Sequence, residues 1–282
     1  MKTLVEWLSY GEAQLMLGPH PEKARLDAES LLLGRIAQNK AWLLAHPDAT
    51  LSTYEADAYM STLEDRVKGE PIQYIREYAE FYGLPFRVTP AVLIPRPETE
   101  HLVEQAILRM RTADRPCILD IGTGSGCIAV ALARHLTDAR VTASDISAAA
   151  LEVAEFNAVQ NDVADRIRCL HGDLLAPVAG EQFDLIVSNP PYVPIADRPT
   201  LSVEVRDHEP ALALFAGPDG LDIYRRLIPA AQAALVPGGH LLLEIGYGQS
   251  AAVTALLSAA GFQSIQAHPD LQGIPRVLCA TR

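Results

Sequence analysis

Cysteine is scarce in this 282-residue chain. There are four (Cys117, Cys127, Cys169 and Cys279), far apart and with no C-x-x-C pair. That spacing argues against a disulfide framework or a zinc site and predicts free, mostly buried thiols in a reducing compartment. Basic residues are also outnumbered: 23 Lys+Arg against 35 Asp+Glu leave a formal charge of −12. Such a balance opposes broad adhesion to a phosphate backbone or an anionic membrane, although it leaves room for a local basic patch. No uninterrupted apolar run approaches ~18 residues, so no membrane-spanning helix is expected. The opening Met1-Lys2-Thr3-Leu4-Val5-Glu6-Trp7 meets a carboxylate before the apolar stretch of a signal peptide can form, and a cytoplasmic location is expected. The eight histidines are scattered and suggest no metal site, and no repeat or low-complexity tract is evident.

What the chain does have is core. Hydrophobic residues make up 49% of it and charged residues only 21%, enough apolar content to exclude a disordered chain. The length suggests two domains, or one large α/β domain with an extension. Residues 1–70 read as a small helical domain: Leu4, Leu8 and Leu15 recur at helical spacing, Gly18-Pro19 closes that element, and Ser52 looks like an N-cap for a helix ending near Gly69. This domain carries no nucleophile, ligand cluster or glycine-rich loop, and a binding or positioning role is expected of it. Residues 71–96, rich in aromatic and β-branched residues and broken by Gly83-Leu84-Pro85, read as a β-hairpin linker.

Residues 97–282 form the third segment. Strand candidates at 117–121, 140–145, 166–171, 183–188, 240–245, 262–267 and 275–280 alternate with helical segments near 125–136, 147–160, 220–235 and 249–260. The expected fold is therefore α/β: a Rossmann-like, doubly wound, mainly parallel seven-stranded sheet. Only a short connection separates the last two strands, which predicts an antiparallel pair at one edge.

Leu119-Asp120-Ile121-Gly122-Thr123-Gly124-Ser125-Gly126 follows the first of these strands and opens the first helix. Ligands bind at such a turn, beyond the carboxyl ends of the strands, and glycines at 122, 124 and 126 allow close approach to the backbone. A dinucleotide fingerprint would place its third small residue at 127, where this chain has Cys127. The D-x-G-x-G-x-G spacing instead resembles the first motif of class I S-adenosylmethionine-dependent methyltransferases. Asp145, ending the second strand about 20 residues on, is placed to accept both ribose hydroxyls of a nucleoside, or else to cap the helix that begins at Ser147. Asp173 and Leu174 end the third strand, where a carboxylate can meet an exocyclic amine of adenine and a leucine can pack on its ring. An ordinary loop aspartate fits the same position.

Asn189-Pro190-Pro191-Tyr192 directly follows the apolar strand Phe183–Ser188. This tetrapeptide resembles the signature of methyltransferases acting on a planar nitrogen, an amide or a base amine. The Asn189 side-chain oxygen and the Pro190 carbonyl can accept the two hydrogens of such a nitrogen. The prolines stiffen the loop and Tyr192 offers a flat face.

Five further segments accompany these motifs: Gly69-Glu70-Pro71-Ile72-Gln73-Tyr74-Ile75, Phe81-Tyr82-Gly83-Leu84, Leu93-Ile94-Pro95-Arg96-Pro97-Glu98-Thr99-Glu100, Glu209-Pro210-Ala211-Leu212-Ala213-Leu214-Phe215 and Gly217-Pro218-Asp219-Gly220-Leu221. With them in this order, the chain resembles the HemK/PrmC family of peptide chain release factor glutamine methyltransferases over nearly its whole length. The resemblance implies methyl transfer from S-adenosyl-L-methionine, yielding S-adenosyl-L-homocysteine, to the amide nitrogen of the glutamine in the Gly-Gly-Gln loop of class 1 release factors. It further implies that Gly122, Thr123, Gly124, Ser125 and Gly126 face the methionine and ribose parts of the cofactor, Asp145 the ribose, and Leu174, with Asp173 beside it, the adenine. Asn189, Pro190, Pro191 and Tyr192 would hold the target glutamine, with Asn189 also near the cofactor, and the helical domain would grip the protein substrate.

Relatives often show Thr-Gly-His-Arg-Glu where this chain has Arg76-Glu77-Tyr78-Ala79-Glu80, a departure at the hairpin that touches docking rather than chemistry. Arg96, Glu98 and Glu100 are candidates for the cofactor pocket or for an ordinary helix start. A second enzyme class, methylation of a nucleic-acid base amine, shares Asn-Pro-Pro-Tyr. The acidic balance and the lack of a Lys/Arg-rich stripe argue against it, so neither nucleic acid nor membrane is an expected partner.

Overall fold

The computed structural model describes residues 2–282. The chain divides into two compact units: residues up to Glu77 with Leu201–His208, and Tyr78–Thr200 with Glu209–Arg282.

In the first unit, α1 (Leu4–Leu15) and α4 (Thr53–Val67) start at capping boxes. Thr3 and Ser52 each accept from the backbone of a glutamate three residues on, and that glutamate's carboxylate returns the bond. With α2 (Ala24–Ile36), α3 (Lys40–Ala45) and α5 (Ile72–Ile75) they surround a core of Leu4, Leu8, Leu31, Leu32, Tyr59 and Leu63. The short helices α3 and α5 are not anticipated by apolar spacing, because one or two turns leave no period to read. A buried guanidinium, Arg66, is held by Asp27 at 2.7 Å and by Glu204 at 2.5 Å, so the distant segment 201–208, which includes a π-helical turn at Glu204–His208, is tied into this unit.

The second unit opens with the hairpin β1 (Ala79–Phe81) and β2 (Leu84–Phe86). Tyr82 and Gly83 both take positive φ at its turn, as a two-residue hairpin of this hand requires. After α6 (Glu100–Met110) come β3 (Cys117–Ile121), α7 (Cys127–His135), β4 (Arg140–Asp145), α8 (Ala148–Gln160), β5 (Ile167–His171) and β6 (Phe183–Ser188). The unit closes with α9 (Asp222–Ala234), β7 (Leu235–Glu244), α10 (Ser250–Ala259), β8 (Gln263–Pro269) and β9 (Pro275–Thr281). The seven strands lie in the order β5-β4-β3-β6-β7-β9-β8, and β9 alone runs against the direction of the other six. This is the doubly wound, mainly parallel sheet expected, with its antiparallel pair at the β8–β9 edge. One boundary differs: β7 begins at Leu235 rather than near 240, because a bulge opposite Phe183–Leu185 carries Pro237-Gly238-Gly239 inside the strand.

Alternation splits the core between the two faces of the sheet. Ile118, Val141, Ala143, Leu185, Val187, Leu242, Val277 and Cys279 pack with residues of α6, α7 and α8. Leu119, Ile121, Ile186, Leu241, Leu243 and Leu278 pack with α9 and α10. All four thiols are free. Cys127 and Cys279 are buried as expected, whereas Cys117 is exposed at the start of its strand.

One packing contact in the first unit makes a clear stability prediction. Gly11, in the middle of α1, faces the buried Tyr59, and a Cβ there would lie 2.0 Å from the Tyr59 hydroxyl, which donates to the Ala28 carbonyl. Helix propensity favours Gly11→Ala by about 1 kcal/mol, but overpacking costs about 1–3 kcal/mol. Urea unfolding of Gly11→Ala is expected to show net destabilisation, and adding Tyr59→Phe recovers part of it. Strictly additive effects of the two changes would contradict this packing.

Candidate functional site

The register of the sheet decides where the chemistry gathers. Ile121 pairs with Ser144 on one side and with Ser188 on the other, and Ser188 pairs with Leu243. The next residue of each strand or loop is then Gly122, Asp145, Asn189 and Glu244. Because strand side chains alternate, these four positions share the face that carries α6, α7 and α8. The strand order reverses about β3, with β4 on one side and β6 on the other, so a crevice opens beyond the carboxyl ends.

A cavity of about 260 Å³ occupies this place. Among its walls are Gly122, Thr123, Gly124, Ser125, Asp145, Asp173, Leu174, Asn189, Pro190 and Pro191. Gly122 and Gly124 have φ of +70° and +55°, and a Cβ on either would meet no atom within 4 Å. Their backbone thus borders open space in a conformation that favours glycine, a cradle that accepts a ligand against the main chain. The Gly122 and Thr123 amides donate to the Ser144 carbonyl, and the Gly124 amide donates to Asp145 Oδ2 at 2.9 Å. Asp145 Oδ1 accepts from the Ser147 amide at 2.9 Å. This carboxylate therefore fixes the glycine loop and the entry to α8 at once. It retains lone pairs for a further donor, since an ionised carboxylate offers about four acceptor sites.

Two expected residues stand elsewhere. Gly126 precedes α7 with φ +79°, and a Cβ there would press on Ala154 at 3.0 Å, so it serves helix–helix packing rather than the cavity wall. Tyr192 is half-buried against the α9–α10 core. Its hydroxyl donates to Glu244 Oε1 at 3.3 Å and its carbonyl accepts from Gln249 Nε2 at 2.9 Å. Its ring is a strut for the loop, not part of the cavity wall. Asp173 is paired with Arg226, another wall residue. Leu174 takes φ +51°, a left-handed conformation, and its carbonyl accepts from the Ser144 hydroxyl at 3.3 Å.

Asn189 Nδ2 donates to Thr99 Oγ1 at 3.0 Å, and Thr99 Oγ1 donates to Glu244 Oε2 at 2.6 Å. Thr99 and Glu244 were not singled out by sequence reasoning, which noticed the charged neighbours Arg96, Glu98 and Glu100. Arg96 does line the cavity and pairs with the buried Glu209 at 2.5 Å, whereas Glu100 instead accepts from the Tyr82 amide at 2.8 Å. The usable signal for Glu244 is a carboxylate closing the apolar run Leu241-Leu242-Leu243, a strand-end carboxylate like Asp145. Among the described residues, no group of three or more His, Cys, Asp or Glu side chains could hold a metal ion. No helix among them is long and apolar enough to cross a membrane.

The model of the methyltransferase small domain matches residues 100–202, and that of the PrmC N-terminal domain matches residues 6–76. A release factor glutamine methyltransferase of Moorella thermoacetica is 46% identical over 93% of this chain and 92% of its own. The chain belongs to the release factor glutamine methyltransferase family. A second member, from Geobacter sulfurreducens, is 44% identical over 91% of this chain and 89% of its own. The solved T. thermophilus 16S rRNA N2 G1207 methyltransferase superposes with a TM-score of 0.53 at 23% identity, over 73% of this chain and 49% of that one, which shows a shared fold.

Beneath the glycine loop, Asp120 is fully buried. Burial pushes its carboxyl from an ordinary 3.8 up to about 7, against the pull of the Thr123 hydroxyl, which donates to it at 2.6 Å. A carboxyl raised on folding lends stability that is fully present below its unfolded value and is lost as pH rises through its folded value. Asp120→Asn has no such proton to lose. Its thermal midpoint relative to the parent protein is expected to climb between about pH 4 and about pH 7. A pH-independent difference would contradict the burial of an ionisable group there.

Proposed function

We propose that the chain transfers a methyl group from S-adenosyl-L-methionine to the side-chain amide nitrogen of the glutamine in the Gly-Gly-Gln loop of peptide chain release factors. The observation that carries this reading is the placement of Asn189 and Pro190 in the same cavity wall as the glycine cradle and Asp145. The family membership supports it, since the relatives named above are release factor glutamine methyltransferases.

The residues present fit such a cofactor. The bare backbone at Gly122 and Gly124 admits its methionine and ribose portions, Asp145 has acceptor capacity left for ribose hydroxyls, and Leu174 offers an apolar edge to adenine. When bound, S-adenosyl-L-methionine supplies an electrophilic methyl on a sulfonium centre and leaves as S-adenosyl-L-homocysteine.

The protein's part is to make a poor nucleophile attack in line. An amide nitrogen shares its lone pair with the carbonyl, so position and hydrogen bonding must compensate. With Nδ2 of Asn189 committed to Thr99, Oδ1 lies on the opposite side of the carboxamide, free to accept one amide hydrogen of the glutamine. The Pro190 carbonyl accepts the other. Both bonds pull electron density onto the nitrogen and strengthen as it becomes positive in the transition state. No side chain is needed to remove a proton beforehand, because the methylated nitrogen is acidic enough to release one afterwards. Tyr192 and the two prolines hold the loop, and the helical unit binds the release factor.

The direct test is incubation with labelled S-adenosyl-L-methionine and a release factor, against the same factor with Gln→Ala in its Gly-Gly-Gln loop. Label is expected on the first and absent from the second. Equal labelling of both, or labelling of RNA or DNA instead, would overturn the proposal. Asn189→Ala is expected to lower turnover by about a hundredfold or more, as loss of one aligned hydrogen-bonding group does. Cofactor affinity, measured by calorimetry, should stay within a few-fold. Equal loss of both would assign Asn189 to the cofactor.

A further inference from the structure

The carboxamide of Asn189 is nearly symmetric in shape, yet only one of its two orientations presents an acceptor to the cavity. Thr99 Oγ1 sits 3.0 Å from one end of that group and 2.6 Å from Glu244 Oε2. A threonine hydroxyl has one proton, and an ionised carboxylate only accepts. The Thr99 proton therefore goes to Glu244, and the hydroxyl offers Asn189 nothing but lone pairs. Only Nδ2 can satisfy it, which turns Oδ1 the other way. Thr99 and Glu244 are each 2% exposed, so bulk water does not compete for these bonds. Glu244 is itself held: its Oε1 accepts from the Tyr192 hydroxyl, and its backbone carbonyl accepts from the Tyr224 hydroxyl at 2.7 Å.

We propose that Thr99 and Glu244 are positioning residues for the methyl transfer: the ionised Glu244 polarises the Thr99 hydroxyl in one direction and thereby locks the Asn189 carboxamide with its oxygen toward the substrate nitrogen. This rests on the amide-methylating reading given above and extends it to two residues outside the Asn-Pro-Pro-Tyr loop. Thr99 borders the cavity and Glu244 lies behind it, and both act through Asn189.

The lock has a defined failure. A protonated Glu244 can donate to Thr99, whose own proton is then free to point at Asn189. The carboxamide can turn over, and its NH₂ would face the substrate amide hydrogens donor to donor. Burial raises the Glu244 carboxyl to about 7, opposed by the hydroxyls of Thr99 and Tyr192 and by Arg276 of β9, while Glu98 adds to the rise. The other titratable groups about it are Tyr224 of α9 and the thiol of Cys127 at the start of α7. The locked form therefore predominates above about pH 7 and is lost as pH falls through that value.

The test compares the parent enzyme with Thr99→Val, which keeps the shape and removes the hydroxyl, Thr99→Ser, which restores the hydroxyl, and Glu244→Gln, which can offer Thr99 either a donor or an acceptor. Thr99→Val is expected to lower kcat about tenfold or more, with S-adenosyl-L-homocysteine affinity within about threefold, and Thr99→Ser is expected to recover most of the loss. The parent's kcat should fall between about pH 8 and about pH 6, whereas that of Glu244→Gln should be low and flat. Parental kcat in Thr99→Val, equal damage in Thr99→Ser and Thr99→Val, or an unchanged pH profile in Glu244→Gln would each overturn the lock.

A readout independent of turnover separates this proposal from the functional one. The side-chain NH₂ of Asn189, followed by ¹⁵N NMR, is expected to be protected from exchange in the parent at about pH 8 and to lose that protection in Thr99→Val. If the parent methylates no glutamine but this protection is present, the functional reading fails and only the Asn189–Thr99–Glu244 hydrogen-bond arrangement stands. If the parent is active and the protection is absent, the lock fails alone.

Discussion

The structure turns on the register of four adjacent parallel strands. With Ser144, Ile121, Ser188 and Leu243 aligned across the sheet, the next positions on the same face are Asp145, Gly122, Asn189 and Glu244. Parallel pairing aligns the carboxyl ends of the strands, and the period of two puts every one of these groups on a single side. A slip of one residue in any strand would turn its contribution to the opposite face. The cavity, the glycine cradle and the chain from Asn189 to Glu244 all follow from that alignment.

The apolar core is what makes the alignment dependable. Strands β3, β6 and β7 are covered by helices on both faces, so each register carries a full set of buried side chains that would be misplaced by a slip. Polar groups at the strand ends then sit where burial stops and the loops begin. Asp120 and Glu244, whose carboxyls burial drives toward neutrality, lie on the core side of that border. Asp145 and Asn189, in contact with the cavity, lie on the open side.

Much of this was legible in the sequence, and for identifiable reasons. The central strands β3 and β6 are short and strongly apolar, and glycine or proline follows each, so the number of strands and the helices between them could be read within a few residues. The glycine loop and Asn189 are locally distinctive, each directly after an apolar strand, and Asp145 closes the strand that follows the loop. What escaped is non-local. Thr99 and Glu244 are 145 residues apart and meet through folding alone. The strut role of Tyr192 depends on Glu244 and Gln249, both far along the chain. The packing role of Gly126 depends on Ala154 in the next helix. The departure of β7 from its expected start reflects a bulge, a pairing event with no local signature.

In the proposed reaction, one carboxamide oxygen and one backbone carbonyl aim the substrate nitrogen. A crystal structure of the protein with S-adenosyl-L-homocysteine and a peptide bearing Gly-Gly-Gln tests it most directly. The glutamine amide nitrogen is expected about 3 Å from both Asn189 Oδ1 and the Pro190 carbonyl, with Asn189 Nδ2 still on Thr99. A glutamine nitrogen bound away from these two oxygens, or an Asn189 side chain released from Thr99 and turned toward the cofactor, would contradict it.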